Sequence, residues 1–225
     1  MKRLCFLVGA LFLIGSCGSL PEIRHPESLM PPEGPARCRR PFVEGRWQFQ
    51  HVIDVAFPEE QKSVLVAVSL VSAESGSIHF ILMTIEGIVV FEARSDREIR
   101  ILRAIRPFDT ERFARGLLTD LRLIFFRPEG VLIETGTLPD GSGVCRYQQP
   151  GNQVVDMIRN SDRHWQVQQY GRWFTEKRTL DIFYNDNFRF DGFQAPHRLK
   201  LTAGGYTWYT LDMDLVEAVS LEEPK

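Results

Sequence analysis

The sequence predicts a mainly β fold of the α+β type: a strongly curved antiparallel sheet or open barrel of about ten strands, its concave side covered by one amphipathic helix. Three observations predict it. Apolar residues recur at period two in segment after segment between Arg46 and Val219. Turn residues punctuate those segments at short intervals. One central stretch, after Pro107, switches to the helical period.

Taken in order, Trp47, Phe49, His51, Ile53, Val55 and Phe57 share one face of the first strand, with Gln48, Gln50 and Asp54 on the other. Pro58-Glu59-Glu60 turns the chain. Residues 64–71 and 78–85 are apolar on both faces, which calls for apolar cover on each side. Glu86-Gly87 makes a hairpin turn into 88–91, and 99–105 is a short strand alternating with charge. Asp109 or Thr110 can then cap a helix running to Phe126, with Phe113, Leu117, Leu121, Ile124 and Phe125 on one stripe. Pro128-Glu129-Gly130 ends it.

Strands resume at 131–138, 154–160 and 164–170, and Gly171 leads into 173–184. Residues 185–196, rich in Asn, Asp and Phe, read as a loop. The closing hairpin is 197–202, the turn Ala203-Gly204-Gly205, and 206–219. A helix-plugged hollow satisfies this pattern, and so does a plain sandwich.

Ahead of the strands stands a leader. Met1, Lys2 and Arg3 form a positive region, and the apolar run 4–14 is too short to cross a bilayer but suits a signal segment. It ends on Leu13-Ile14-Gly15-Ser16-Cys17, which resembles the bacterial lipobox: small residues admit the peptidase, and the thiol accepts the lipid. The organisation read from the chain is a signal peptide 1–16, a lipidated Cys17 with a Pro-rich tether 17–45, a folded domain 46–220 and a tail 221–225. Such a tether reaches on the order of 30–80 Å. Gly18, with no Asp there, resembles the pattern of lipoproteins sorted to the outer membrane. That places the domain on its periplasmic face.

With Cys17 acylated and Cys5 removed in the leader, Cys38 and Cys145 remain, either as a disulfide or as two buried thiols. A formal net charge of −2 offers no basic footprint for nucleic acid. The five histidines show no metal-pair spacing, and His51 and Asp54 fall on opposite strand faces. Asp212 and Asp214 share a face as a carboxylate pair, as a calcium ligand set or as solvated edge residues, and Ser142 lacks a nucleophile-elbow context. Arg94, Arg97, Arg100, Arg103 and Arg106 could meet anionic headgroups, although Asp96 and Glu98 interrupt them. No catalytic residue, metal site or cofactor motif emerges, so the chain reads as a non-enzyme.

The lipobox, the long strand meander, the central helix and the closing hairpin together resemble the outer-membrane lipoprotein receptor LolB and its carrier LolA. In that hairpin Ala195-Pro196-His197-Arg198-Leu199-Lys200-Leu201-Thr202 is followed by a Gly turn and Leu211-Asp212-Met213-Asp214-Leu215. The likeness is nearest to uncharacterised LolB-like lipoproteins of the DUF3261 type. It implies a half-barrel of about eleven strands closed by helices, whose apolar hollow holds acyl chains.

The function expected is a monomeric lipid-anchored binding protein, with Cys17 in the membrane and an acyl chain or lipoprotein in the hollow. Candidate lining residues are Phe49, Ile53, Val66, Val68, Phe80, Leu82, Val90, Phe113, Leu117, Leu121, Trp165, Val167 and Leu211. The alternative is an assembly lipoprotein with a filled core that binds another envelope protein.

Overall fold

The computed structural model describes residues 19–25, 38, 42–56, 62–96, 98–171, 176–190, 192–204 and 209–221. Cys17 and its lipobox, Gly18, most of the Pro-rich stretch, Phe57, the 58–60 turn, Arg97, Trp173, Gly205, Tyr206 and the last four residues fall outside them.

The chain opens with β1 (Arg46–Ala56), β2 (Lys62–Ser72), β3 (Ser77–Met83), β4 (Val89–Ser95) and β5 (Ile99–Ala104), then α1 (Glu111–Phe125). It continues through β6 (Val131–Thr137), β7 (Gly143–Gln149), β8 (Gln153–Ser161), β9 (His164–Tyr170), β10 (Glu176–Phe190), β11 (Phe193–Ala203) and β12 (Tyr209–Ser220). All 12 strands form one antiparallel sheet in the order β5-β4-β3-β2-β1-β12-β11-β10-β9-β8-β7-β6. The first and last strands therefore meet in the middle, and two meanders run outward to the edges β5 and β6. Because α1 joins those two edge strands, it has to cross the sheet from one side to the other. This topology, not helix propensity, puts α1 over the concave face.

Register turns the period-two alternation into continuous apolar rows. Val55, Leu211, Leu201, Leu180, Val167, Met157 and Cys145 are successive partners from β1 through β12 to β7. A second row runs Leu65, Ile53, Met213, Leu199, Ile182, Trp165. All are buried. Each large side chain in these rows stabilises the fold by about 1.5–3 kcal/mol relative to exposure.

α1 answers with its own apolar stripe. Thr110 is the N-cap and its Oγ1 accepts from the Phe113 N–H at 3.2 Å. Ala114, Leu117, Leu118, Leu121, Ile124 and Phe125 are buried. At the far end the Phe126 N–H closes on the Arg122 carbonyl at 2.9 Å, and Arg122 donates to the Gly76 carbonyl in the β2–β3 turn at 3.0 Å.

Four expectations change. Among the described residues the strands number 12, because β7 was passed over and 185–190 and 193–196 are strand, at the end of β10 and the start of β11. β7 (GVCRYQQ) carries few β-branched residues, and the Asn/Asp cluster 185–187 mimics a loop while β10 continues past a register shift at Tyr184. Residues 64–71 are not covered on both sides: Leu65, Ala67, Ser69 and Val71 are buried, whereas Val64 is 50% exposed. Residues 78–85 end as a strand at Met83, and Ile85 lies exposed in the turn, where Gly87 takes a φ of 85°.

The tether reading also fails for 19–25. Arg24 pairs with Thr137 through two backbone hydrogen bonds of 2.8 and 2.9 Å, covering part of the β6 edge. Ile23 is buried with Leu138, Val144 and Ile158 in a small cluster of its own. Arg146 makes paired hydrogen bonds of 2.8 and 2.7 Å to buried Asp156 and donates to the Pro21 carbonyl at 2.9 Å. Phe42 and Val43 are buried in the main core, so the folded body begins ahead of Arg46.

Candidate functional site

α1 is held over the apolar sheet at both its ends and in its middle. At its start Phe113 meets Phe91 edge-on at 5.4 Å and Phe108 at 5.2 Å between ring centroids. At its end Phe125 stacks on Phe49 at 5.3 Å. Between them lies Asp120, fully buried, paired with Arg178 of β10 and accepting from the Tyr209 hydroxyl of β12. Burial pushes the Asp120 carboxyl up to about 6, and Arg178 offsets part of that rise. The helix is clamped by aromatic rings at both ends and by a charge in its middle.

Of the predicted lining residues, Phe49, Ile53, Phe80, Leu82, Val90, Leu117, Leu121, Trp165, Val167 and Leu211 lie in one buried cluster. Phe113 is half-buried against it. Val66 and Val68 are corrected: they pair with Val52 and Gln50, the residues of β1 that alternate with its buried ones, and so point to the outer face. Both faces of this segment are apolar, so composition could not choose between them. Pairing to β1 did.

Three polar residues on this face were missed as site residues: His51, Ser69 and Asp120. His51 is buried among Trp47, Phe49, Ile53 and Val55 on the inner side of β1. A polar residue in an otherwise apolar alternation was the signal available. Asp120 stands three residues after Leu117 and four before Ile124, so helical spacing already set it on the stripe. Burial lowers the His51 imidazole to about 4.

The remaining candidates sit elsewhere. Cys38 and Cys145 are disulfide-bonded with Cα atoms 6.0 Å apart, joining residue 38 to β7. Asp212 is held below the usual carboxylate range by a hydrogen bond from Arg198 and is an ion-pair partner, not half of a carboxylate pair. His25, His79 and His164 meet Glu134, Glu92 and Asp181 at 3.1, 2.8 and 2.9 Å. Ser142 hydrogen-bonds Asn160 at 3.2 Å in a turn. Among the described residues, no group of His, Cys, Asp and Glu is placed to hold a metal ion. A groove of about 380 Å³ opens at the β2–β3 turn between Arg46, Ser72, Ser77, His79 and Arg94, and none of the predicted lining residues borders it.

No family model matches the chain, and no curated protein matches it. A solved structure does. The LolA superfamily protein NE2245 from Nitrosomonas europaea is similar over 81% of this chain and 89% of its own length, with a TM-score of 0.55 at 10% sequence identity. The shared property is architecture: the chain has a LolA-like fold, an open curved antiparallel sheet with a helix across its concave side.

Proposed function

We propose that this protein is a non-enzymatic lipoprotein, anchored through Cys17 on the periplasmic face of the outer membrane, that takes an acyl chain between its sheet and α1. Within the LolA-like fold, its leader and closing hairpin favour the LolB-like DUF3261 type. The observation that carries the reading is the unbroken apolar row from Val55 to Cys145, roofed by a helix that takes part in no strand pairing. An acyl chain would take the place of α1 side chains, each buried methylene contributing about 0.8 kcal/mol against the burial those side chains give up. Transfer down a gradient of affinity needs no catalytic group, and a cargo carried on another lipoprotein or a glycolipid presents the same chain.

The test is native mass spectrometry of the protein purified from membranes, with peptide mapping of Cys17. The expected result is a co-purifying acyl species and a lipid adduct on Cys17. A ligand-free spectrum with no uptake of palmitate or of a diacylated lipopeptide would overturn the binding reading, and an unmodified Cys17 would overturn the anchor.

The stacking of Phe49 on Phe125 favours a second reading, in which the core is permanently filled and the surface engages another envelope protein. Crosslinking in cells would then give one discrete protein partner and no lipid.

A further inference from the structure

Polar side chains on an apolar face need partners, and among the described residues three buried side-chain atoms have none: His197 Nδ1 on β11, beside Phe188, and a neighbouring pair on β1 and β2. The Nδ1 of His51 and the Oγ of Ser69 are buried without a hydrogen-bond partner among the described residues. The residues are 1% and 0% exposed. Both belong to the inner face: His51 pairs with Ala67 of β2, and Ser69 is the next same-face residue, opposite Phe49. They are diagonal neighbours across β1 and β2, about 7–8 Å apart along the backbone.

Their surroundings are aromatic. Phe49 and Phe125 have ring centroids 6.2 and 6.3 Å from that of His51, and Phe80 pairs with Ser69 from β3. The low basicity that burial imposes keeps His51 neutral at ordinary pH. In the Nδ1–H tautomer of His51 the pair offers an N–H and an O–H donor without a formal charge. Burying such groups unpaired costs their hydration with nothing in return, and Leu with Ala would pack the same positions without that cost. A ligand that satisfied them would have to be apolar enough to share the face with three Phe rings. It would also have to carry an uncharged acceptor. Carboxylate and phosphate would call for a cation; an acyl carbonyl would not.

We infer that His51 and Ser69 form the polar subsite of the acyl-binding face and donate hydrogen bonds to the carbonyl oxygen of an ester, amide or protonated acid at the head of the bound chain. This rests on the acyl-binding reading above and adds to it the chemistry of the head. The chain would run from this subsite along the Ile53 and Val55 rows, and its first carbons would displace Phe125 from Phe49.

The experiment compares methyl palmitate with octadecane, matched in length but differing in the carbonyl, by displacement of a fluorescent naphthylamine probe. It uses the full chain carrying Cys17→Ser, so that the protein's own acyl groups do not compete. The expected result is about tenfold tighter binding of the ester than of the alkane, as one to two added hydrogen bonds would give. In His51→Phe/Ser69→Ala that preference should vanish while octadecane binding is kept, which also reports that the variant is folded. His51→Gln, which retains a donor, should keep most of the preference. An equal ester preference in the wild type and the double variant would overturn the subsite and leave acyl binding standing. Failure of the wild type to bind either compound would overturn acyl binding itself, and the subsite with it.

Discussion

Asp120 of α1 is buried in an ion pair with Arg178 of β10, and the same carboxylate accepts the Tyr209 hydroxyl of β12. The helix is thus joined to the sheet by a specific charge as well as by its apolar stripe. An apolar stripe tolerates sliding along an apolar face, whereas a buried pair does not, so this contact sets where α1 sits.

Removing one partner of that pair strands the other. Asp120→Ala should cost about 3 kcal/mol in urea unfolding, the low end of the range for a broken buried pair because Arg178 keeps some solvent contact. It should also expose Glu111–Phe125 to proteolysis before the sheet is cut. Unchanged protection of the helix would show that the stripe alone positions it.

The same carboxyl makes stability depend on pH in a defined direction. Its folded value of about 6 lies above the ordinary 3.8, because burial outweighs Arg178. Between about pH 4 and pH 6 the folded state holds more of this proton than the unfolded chain does, so stability falls as pH rises through the window. Relative to Asp120→Asn, the wild type should lose roughly 2–3 kcal/mol from pH 4 to pH 7. Parallel unfolding curves for the two proteins across that range would contradict the assignment.

Arg146 serves two structures at once. Its paired hydrogen bonds to Asp156 join β7 to β8, while its Nη2 holds the Pro21 carbonyl. Lys cannot reproduce this fork. Arg146→Lys should therefore destabilise the fold by about 2–4 kcal/mol and loosen 19–25, read by hydrogen exchange.

Gly136 is required for close approach. A Cβ there would stand 2.5 Å from both the Arg24 carbonyl oxygen and Ile23 Cγ2. Gly136→Ala should push 19–25 off β6, at a cost of about 1–3 kcal/mol, without disturbing the β6–β7 pairing. Limited proteolysis should then cut near Arg24 while the sheet stays intact.

Much of the fold was legible residue by residue. The alternation of Trp47, Phe49, Ile53 and Val55 located β1, and the stripe from Phe113 to Phe125 located α1, with the structure choosing Thr110 over Asp109 as its cap. β7 was not legible, because only Val144 of its seven residues is β-branched and buried Arg146 breaks any apolar run until β8 pairs with it. Nor was the end of β10, where Asn185, Asp186 and Asn187 carry a loop composition into a strand. For the candidate site, most of the apolar lining could be named in advance. His51, Ser69 and Asp120 could not be weighed, because what matters about them is the partner each has or lacks.

The sequence by itself determined the period of most segments, the position of the helix, and the apolar character of one sheet face. These are set within a few neighbouring residues. Only the tertiary structure decided that β1 pairs with β12, that Cys38 meets Cys145, and that Leu65 and Ala67 rather than Val66 and Val68 face the helix. The reason is register: a shift of one residue turns every side chain of a strand to the other face. Where both faces are apolar, as in β2, only the long-range partner breaks the tie.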